Sequence, residues 1–356
     1  MTPPGLGENR DKPAYRASGR GENRDEPAYR ASGEGPDDRA VCVIGLGLIG
    51  GSLLRAAVRA GRTAWGSAAS AADAEAASAD GFDVTTTVDD ALTRAADADA
   101  LVVLAVPLPA ADGVLRRVRR HAPTCRLTDV VSVKAPMAEV VARLAPQARY
   151  VGGHPMAGAS RSGWAAGRAD LFEGAAWVVA ADEGLDLEVW ADVAALALAT
   201  GAAVVPAAID EHDAAVARIS HLPHVMAAVL AAVGSAGGPL ALSLAAGSFR
   251  DGTRVAGSSA ELVTAMCEGN RGALLGAVDD ALGRLGAARG SLASTGGLAA
   301  TIGAGHQARL TLDEHTPPQA IADLSVPDPL AKLRELGRAG GRVVGLQTAH
   351  DGLRPS

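Results

Sequence analysis

Short apolar runs alternate with helical patterns from about residue 40 to residue 206. The runs AVCVIG, TAWG, VTTTV, ALVVLAVP and RLTDVVSV predict strands, and two later runs, AAWVVA and AAVVP, continue the pattern. Helical spacing of apolar residues separates most of them, over residues 71–79, 89–96, 109–121 and 135–144. Strands that alternate with helices predict a doubly wound α/β domain, with a parallel sheet covered on both faces. We expect the two later runs to extend that sheet.

Strand patterns stop after Pro206, and helical patterns follow over residues 209–233, 239–246, 259–268 and 271–289. They predict an all-helical substrate and dimerisation domain over residues 207–310. Its helices carry more apolar surface than a small bundle needs, as in Met226 to Val233, so we expect a homodimer. Residues 311–356 predict a strand, an amphipathic helix and a strand, a unit too small to be stable unless it docks.

The first 39 residues differ from the rest of the chain. GENRDKPAYRASGR is followed at once by GENRDEPAYRASGE, a tandem repeat whose two copies differ at two positions. The repeat is polar, mixed in charge and poor in branched apolar residues. It therefore cannot bury enough surface to offset its ordering entropy, and residues 1–39 are predicted to be a disordered leader.

Composition excludes several classes of protein. Apolar residues make up 48% of the chain and supply a sizeable core, while a net charge of −7 argues against a nucleic-acid-binding protein. No stretch of about 18 residues is uniformly apolar, which argues against a membrane span. The three cysteines, Cys42, Cys125 and Cys267, are too few and too scattered for a disulfide framework or a thiolate zinc site. A cytoplasmic location is expected.

The sequence GLGLIGGS follows the first predicted strand and opens the first predicted helix. In this position Gly45 allows the tight turn, Gly47 lets the backbone approach a pyrophosphate, and Gly50 lets helix and strand pack closely. The helix N-terminus offers N–H groups and partial positive charge to the phosphates. We therefore predict a Rossmann-type dinucleotide site formed by Gly45, Gly47, Leu48, Ile49 and Gly50.

The second predicted strand ends at Ser67, where an acidic residue would bind the ribose 2′-hydroxyl of NAD. No arginine follows immediately to hold the 2′-phosphate of NADP. Ser67 is therefore a predicted cofactor contact that leaves NAD and NADP both open.

Further strand ends fall on the same edge of the predicted sheet. Val106 and Pro107 predict a wall against the nicotinamide, with a simple turn proline as the alternative. Ser132 lies in DVVSVK, and His154 lies in GGHPMAG. A histidine in a loop of small residues at a crevice edge can act as a general base near neutral pH, and Ser132 can fix its tautomer or contact the substrate.

The helical region adds a second set of polar candidates in the sequence SHLPH. His221 and His224 are spaced to share one helix face, with Ser220 beside them and Pro223 expected to kink the backbone. We predict that Ser220, His221 and His224 bind substrate. A metal triad that adds His212 is the alternative, but no acidic or thiol ligand cluster accompanies the histidines, so no metal is expected.

Two arginines lie in GSFRDGTR, predicted as a loop between two helices. A loop arginine that faces an interdomain cleft suits bidentate recognition of a carboxylate, whereas a solvated face is the default for charged residues. We favour Arg254 over Arg250 for carboxylate binding.

The motifs GLGLIGGS, DVVSVK, GGHPMAG followed by SRSGW and LFEG, SHLPH, and GSFRDGTRVAGSS, in this order, resemble the prephenate dehydrogenase family, which includes arogenate dehydrogenases. The resemblance covers about residues 40–290. It implies oxidative decarboxylation of prephenate to 4-hydroxyphenylpyruvate in tyrosine biosynthesis, with hydride transfer to NAD or NADP, NAD being slightly favoured. The alternative within the family is oxidation of arogenate to tyrosine.

The resemblance also implies roles for individual residues. His154 would hydrogen-bond the substrate 4-hydroxyl and take its proton, and Ser132 would support both groups. Arg254 would hold a substrate carboxylate, while His221 and His224 would complete the polar pocket. No metal is implied.

The chain departs from the family pattern in two places. Residues 159–161 read Ala-Ser-Arg where many relatives carry an acidic residue, which speaks against a gating ion pair from this loop. The tail resembles the first β-α-β half of an ACT regulatory domain, with Pro327-Asp328-Pro329 in place of the proline–glycine turn. We predict a truncated remnant that does not sense tyrosine.

Two other function classes compete with this interpretation. Another two-domain reductase would share the cofactor domain, but several of these enzymes use a lysine of the helical domain as acid, and residues 207–310 contain no lysine. A non-catalytic redox sensor would bind the cofactor without turnover. The set His154, Ser132 and Arg254 argues against that class.

Overall fold

A computed structural model describes residues 39–85, 87–158 and 161–347. The predicted leader falls outside these residues except for Arg39, and so do Ala159 and Ser160 of the loop after the HPMAG motif.

The first sheet has five parallel strands in the order β2-β1-β3-β4-β5, and this confirms the predicted doubly wound α/β fold. Its central strands are buried on both faces because helices cover both. VTTTV contributes only one isolated bridge, from Val84 to Gly66, so its prediction as a full strand was wrong. The elements are β1 (Val41–Ile44), α1 (Leu48–Arg59), β2 (Ala64–Ser67), α2 (Ala71–Ala79), α3 (Val88–Asp97), β3 (Leu101–Leu104), α4 (Leu108–His121), β4 (Arg126–Asp129), α5 (Ala135–Leu144) and β5 (Arg149–Tyr150).

A second five-stranded sheet follows, so the expectation that AAWVVA and AAVVP extend the first sheet was wrong. The chain turns back after β5, and a three-residue strand pairs antiparallel with AAWVVA. The two sheets share one apolar core, in which a buried helix packs against strands of both. The added elements are β6 (Gly153–Pro155), β7 (Ala176–Ala180), α6 (Leu187–Ala199) and β8 (Ala203–Ala207).

The helical region begins with one long helix that changes its winding in the middle. Its central turn, Ala217–His221, is π-helical, and π-turns are frequent at functional sites. Pro223 lies in the first turn of the next helix, where the missing backbone N–H of a proline is tolerated. GSFRDGT forms a short helix and Arg254–Gly257 a 3₁₀ turn, so this segment is not the predicted loop. The helices are α7 (Ile209–Val216), α8 (Leu222–Ala236), α9 (Gly238–Ser243), α10 (Gly247–Thr253), α11 (Ala260–Gly269), α12 (Arg271–Ser294) and α13 (Ala299–Glu314).

The tail returns to the second sheet and is not a separate half-domain. It forms β9 (Gln319–Asp323), α14 (Pro329–Arg338) and β10 (Arg342–Gln347), and β10 pairs with β8 to give the order β6-β7-β8-β10-β9. The expected boundary at residue 310 falls inside α13. Arg334 donates to the carbonyl of Ala181 at 2.6 Å, and Arg338 pairs with Glu211 at the start of α7. These contacts dock the unit on β8 and on the start of α7.

The helical region leaves a large apolar surface in water. On α8, Val229 is 54% exposed and Val233 is 67% exposed, and no residue of α13 is buried. Taken as one helix, Ile209–Ala236 is long and apolar enough to cross a membrane by length and composition, which is weak evidence alone. Its first half carries Asp213, whose carboxylate accepts the backbone N–H of Ala135 at the start of α5, as in a helix that belongs to a folded domain.

Candidate active site

The glycine loop has the geometry that a bound dinucleotide needs. Gly45 has φ +104°, and a Cβ there would lie 2.5 Å from the carbonyl oxygen of Ala105. A Cβ on Gly50 would lie 1.8 Å from the carbonyl oxygen of Gly45, so only glycine lets α1 pack this close. A Cβ on Gly47 would meet nothing within 4 Å, and no side chain caps the N-terminus of α1. Pyrophosphate therefore fits here, with Leu48 and Ile49 beginning the helix beneath it.

We expect Gly47→Ala to separate cofactor binding from folding. The melting temperature of the ligand-free protein should stay near wild type, because Gly47 has φ −73° and space for a methyl group. That methyl would stand between the backbone and the pyrophosphate, so the NAD(P) dissociation constant should rise roughly tenfold or more. Calorimetry measures both quantities. Gly113→Ala in α4, which also meets nothing within 4 Å, is the control, and equal dissociation constants for the two variants would contradict the role.

Three other predicted cofactor residues lie at neighbouring strand ends. Ser67 ends β2 and is 1% exposed, and its carbonyl accepts the Gly45 N–H at 2.8 Å. Its Oγ has no hydrogen-bond partner among the described residues. Val106 and Pro107 follow β3, and Pro107 precedes α4. Because parallel strands end at one edge, all three lie at the crevice of the first sheet.

His154 is the first ring of a hydrogen-bonded relay. It lies on β6, and its Nδ1 is 2.8 Å from Nε2 of His212 on α7. The Nδ1 of His212 is 2.8 Å from Oδ1 of Asp213. The carboxylate of Asp213 also accepts the backbone N–H groups of Lys134 and Ala135, both at 2.9 Å. The relay therefore ties the helical region to the start of α5.

The relay fixes the protons on both rings. Burial raises the pKa of Asp213, but the bonds from His212 and from two backbone N–H groups outweigh burial and hold that pKa below its usual value. The ionised carboxylate only accepts, so Nδ1 of His212 carries a proton, and in the neutral His212 ring Nε2 accepts the N–H of His154. The Nε2 lone pair of His154 is then available as a base.

The surroundings keep His154 uncharged. Burial lowers the pKa of His154 well below 6.5, and the neighbouring His212, Lys134 and His221 lower it further. A neutral imidazole with a directed lone pair can accept a proton from a substrate hydroxyl at neutral pH. Among the described residues no hydrogen bond joins Ser132 to His154; Ser132 lies half-buried after β4, with its hydroxyl outside the relay.

A buried ion pair supports the strand that carries His154. Lys134 is 1% exposed; its ammonium donates to the carboxylate of Asp129 and, at 2.7 Å, to the carbonyl of Gly153. Tyr150 donates to the same carboxylate at 2.6 Å, and Val131 N–H donates at 2.7 Å. Burial lowers the pKa of Lys134 although Asp129 opposes this shift. DVVSVK contains this lysine, but no sequence signal showed that it would be buried.

The predicted substrate residues of the helical region fall into two groups. His221 is fully buried at the end of the π-turn, and Asn270 contacts its Nδ1 at 3.1 Å. Ser220 and His224 are half-buried beside it. Arg254 and Arg250 are exposed, and the turn that begins at Arg254 packs against α8.

The structure places three residues at the site that the sequence analysis did not predict as site residues, namely His212, Asp213 and Asn270. His212 was weighed only as a metal ligand, and no group of three or more histidine, cysteine or carboxylate side chains in the described part of the chain could hold a metal ion. Asp213 and Asn270 had no predicted role. The adjacent pair His212-Asp213 early in a helix was the available signal, but its partner His154 lies 58 residues away.

The chain matches two family models and several known proteins. Residues 54–206 match the nucleotide-binding domain of prephenate dehydrogenase, and residues 208–295 match its dimerization domain. A crystal structure from Corynebacterium glutamicum, provisionally described as a prephenate dehydrogenase, is 43% identical with a TM-score of 0.83, covering 87% of this chain and 99% of that one. The cyclohexadienyl dehydrogenase of Zymomonas mobilis is 31% identical over 72% of this chain and 89% of its own length.

The prephenate dehydrogenase of Bacillus subtilis is 37% identical over 37% of this chain, and the chain spans only 37% of the length of that curated relative. The two family domains together cover most of the described residues, and the Corynebacterium protein matches almost end to end. This chain belongs to the prephenate dehydrogenase family.

Proposed function

We propose that this protein is a prephenate dehydrogenase, which converts prephenate to 4-hydroxyphenylpyruvate and CO₂ while NAD(P)⁺ is reduced. The observation that carries the proposal is the relay from Asp213 through His212 to His154, because it leaves an uncharged base on β6. That strand belongs to the second sheet and not to the predicted edge of the first, but Lys134 links its Gly153 to Asp129 at the carboxyl end of β4. Family membership supports the substrate class. The glycine loop supports a dinucleotide.

His154 acts on the substrate hydroxyl. The hydroxyl proton moves toward Nε2 as C4 loses hydride, and His212 with Asp213 stabilises the imidazolium that forms. When the C1 carboxylate departs as CO₂, its electron pair enters the ring and the C4 oxygen regains a proton. The bound nicotinamide supplies the hydride acceptor, and aromatisation drives the reaction forward. Ser132 contacts the substrate hydroxyl.

The glycine loop, Ser67, Val106 and Pro107 hold the cofactor in this proposal. Ser67 carries neither a negative charge that would repel a 2′-phosphate nor a positive charge that would form an ion pair with it, and NAD is proposed as the cofactor on family grounds. His221, His224 and Ser220 contact the polar groups of the substrate.

Arg254→Gln is expected to raise KM roughly 10- to 100-fold with little change in kcat. The substitution removes a charged hydrogen-bond partner from a substrate carboxylate that is bound equally in the ground and transition states. Steady-state kinetics measures the split. Arg250→Gln is the matched control, because Arg250 is also an exposed arginine of the same segment. An unchanged KM for Arg254→Gln would assign that arginine to structure.

Arogenate dehydrogenase is the second candidate, favoured by the likeness to a cyclohexadienyl dehydrogenase. Prephenate and arogenate differ by a ketone or an amino group on the side chain. The deciding experiment is a two-by-two assay of prephenate or L-arogenate with NAD or NADP, following absorbance of the reduced cofactor. Turnover with prephenate supports the proposal, and turnover with arogenate alone replaces it. Cofactor binding without turnover in any combination would refute both.

We further propose a cytoplasmic homodimer formed through the helical region. Exposed Val229 and Val233 on α8 and the uncovered helix α13 need a partner surface, and a second copy supplies the same apolar chemistry. Sedimentation velocity would give twice the chain mass of 35.6 kDa. A monomer at micromolar concentration would contradict the proposal.

A further inference from the structure

Asp213 interacts with His212 directly and with His221 through Asn270, and it uses different atoms for the two contacts. Its carboxylate holds His212 in the relay, whereas its main-chain carbonyl accepts Nδ2 of Asn270 at 2.7 Å. The same Nδ2 lies 3.1 Å from Nδ1 of His221. Asn270 and Asp213 are each 5% exposed and His221 is not exposed at all, so these contacts are out of water.

The carbonyl determines the orientation of the Asn270 amide. A carbonyl oxygen only accepts, so the amide nitrogen and not the amide oxygen must face Asp213. That nitrogen has two hydrogens and no available lone pair, and its second hydrogen therefore points at Nδ1 of His221. Since Nδ1 of His221 accepts, the single proton of the neutral ring lies on Nε2.

The Nε2–H of His221 is left without a protein partner. Among the described residues no acceptor lies within hydrogen-bond distance of it, although the ring is fully buried. A buried donor without an acceptor is costly and rare in folded proteins. Nδ1 of His224, one turn further along the helix, is also buried without a described partner. Two unsatisfied polar atoms at the π-turn are typical of groups that a ligand satisfies.

The His221 ring is neutral at the pH of the reaction. Burial lowers the pKa of His221 to about 4, the neighbouring His212 and His224 lower it further, and Asp213 opposes the shift. His154 lies close enough for His221 to affect its pKa. A neutral donor can bind an oxygen without placing another cation next to that base.

We propose that Asn270 is a positioning residue that fixes His221 as an Nε2–H donor to an acceptor oxygen of the substrate. The inference rests on the proposed function and deepens it, because it assigns a protonation state and a ligand atom type to one side of the pocket. A carboxylate oxygen and a carbonyl oxygen of the substrate can both accept this hydrogen bond.

Histidine ¹⁵N NMR of the full-length, ligand-free protein tests the tautomer. We expect wild-type His221 to show a protonated Nε2 and an unprotonated Nδ1. In Asn270→Asp a carboxylate replaces the donor, so Nδ1 of His221 should become protonated and KM should rise tenfold or more, with a smaller change in kcat. A protonated Nδ1 in the wild-type protein would overturn the inference.

A second pair of variants tests the donor without altering Asn270. The amide nitrogen of glutamine reaches the position of Nε2, whereas that of asparagine reaches only the position of Nδ1. We therefore expect KM for His221→Gln to be at least several-fold closer to wild type than KM for His221→Asn. Equal KM values would remove the donor role. The tautomer is read without substrate, so failure of the proposed reaction and failure of this inference remain distinguishable.

Discussion

His154→Asn should lower kcat by roughly 10² or more, the range that general acid–base catalysis contributes, while the affinity for NAD(P) stays near wild type. Asparagine places its amide nitrogen near the position of Nδ1, so the hydrogen bond to His212 can persist and the relay stays packed. What is lost is the Nε2 lone pair that receives the hydroxyl proton. Stopped-flow and steady-state measurements of cofactor reduction, beside calorimetric titration of the cofactor, separate the two quantities.

The pH profile gives the same variant a second readout. Because burial and neighbouring groups lower the pKa of His154, wild-type activity should fall on the acid side only well below pH 6.5. The residual activity of His154→Asn should lack that acid limb. His315→Asn, at an exposed site after α13, is the matched control and should keep both kcat and the limb. Normal turnover by His154→Asn would remove this residue from the mechanism.

Sequence patterns predicted strands β1 to β4 of the first sheet because their signals are local. Helix α2 spans the predicted residues 71–79 and α5 the predicted 135–144, and in both cases the flanking loops and strands are short. The glycine loop was equally predictable from the sequence, since each glycine meets a local steric requirement.

The second sheet was not predictable by the same means. Strand β6 has three residues, too few to show an alternating pattern, and β10 reaches β8 only after the whole helical region has intervened. Pairing between strands so distant in sequence depends on tertiary packing. The β-α-β pattern of the tail was predicted, but such a pattern does not show which sheet the strands join.

The chemistry of the site was predictable in part. His154 was identified from its motif. Its hydrogen-bond partner His212 was not, because the two residues lie in different regions of the chain. The sequence analysis had instead proposed Ser132, which is nearer in sequence, as the residue that fixes the His154 tautomer. The tautomers of His154 and His221 depend on Asp213 and Asn270, whose neighbours only the fold determines. A lysine in a strand-end motif is ordinarily solvated, so the burial of Lys134 was also invisible.

Lys134→Met should lower the free energy of unfolding by about 3–5 kcal/mol, the cost of breaking a buried ion pair. Methionine has a similar length, so little cavity forms. The loss arises because Asp129, which is not exposed at all, would keep a charge without its cation, and the carbonyl of Gly153 would lose its donor. Guanidinium denaturation at one fixed protein concentration measures the change, since a dimer would make stability concentration-dependent.

Two controls distinguish a buried charge from the loss of any lysine. Lys332→Met on α14 removes an exposed ammonium and should change stability by no more than about 0.5 kcal/mol. The double variant Asp129→Asn with Lys134→Met removes both charges, and an amide at residue 129 can donate to Tyr150 while still accepting from Val131. It should therefore recover much of the stability that the single variant loses. If the double variant were as unstable as Lys134→Met, the cost would come from packing and the hydrogen bond to Gly153. In that case the ion pair would still orient the strand that carries His154, but an unpaired charge on Asp129 would not be the reason for the lower stability.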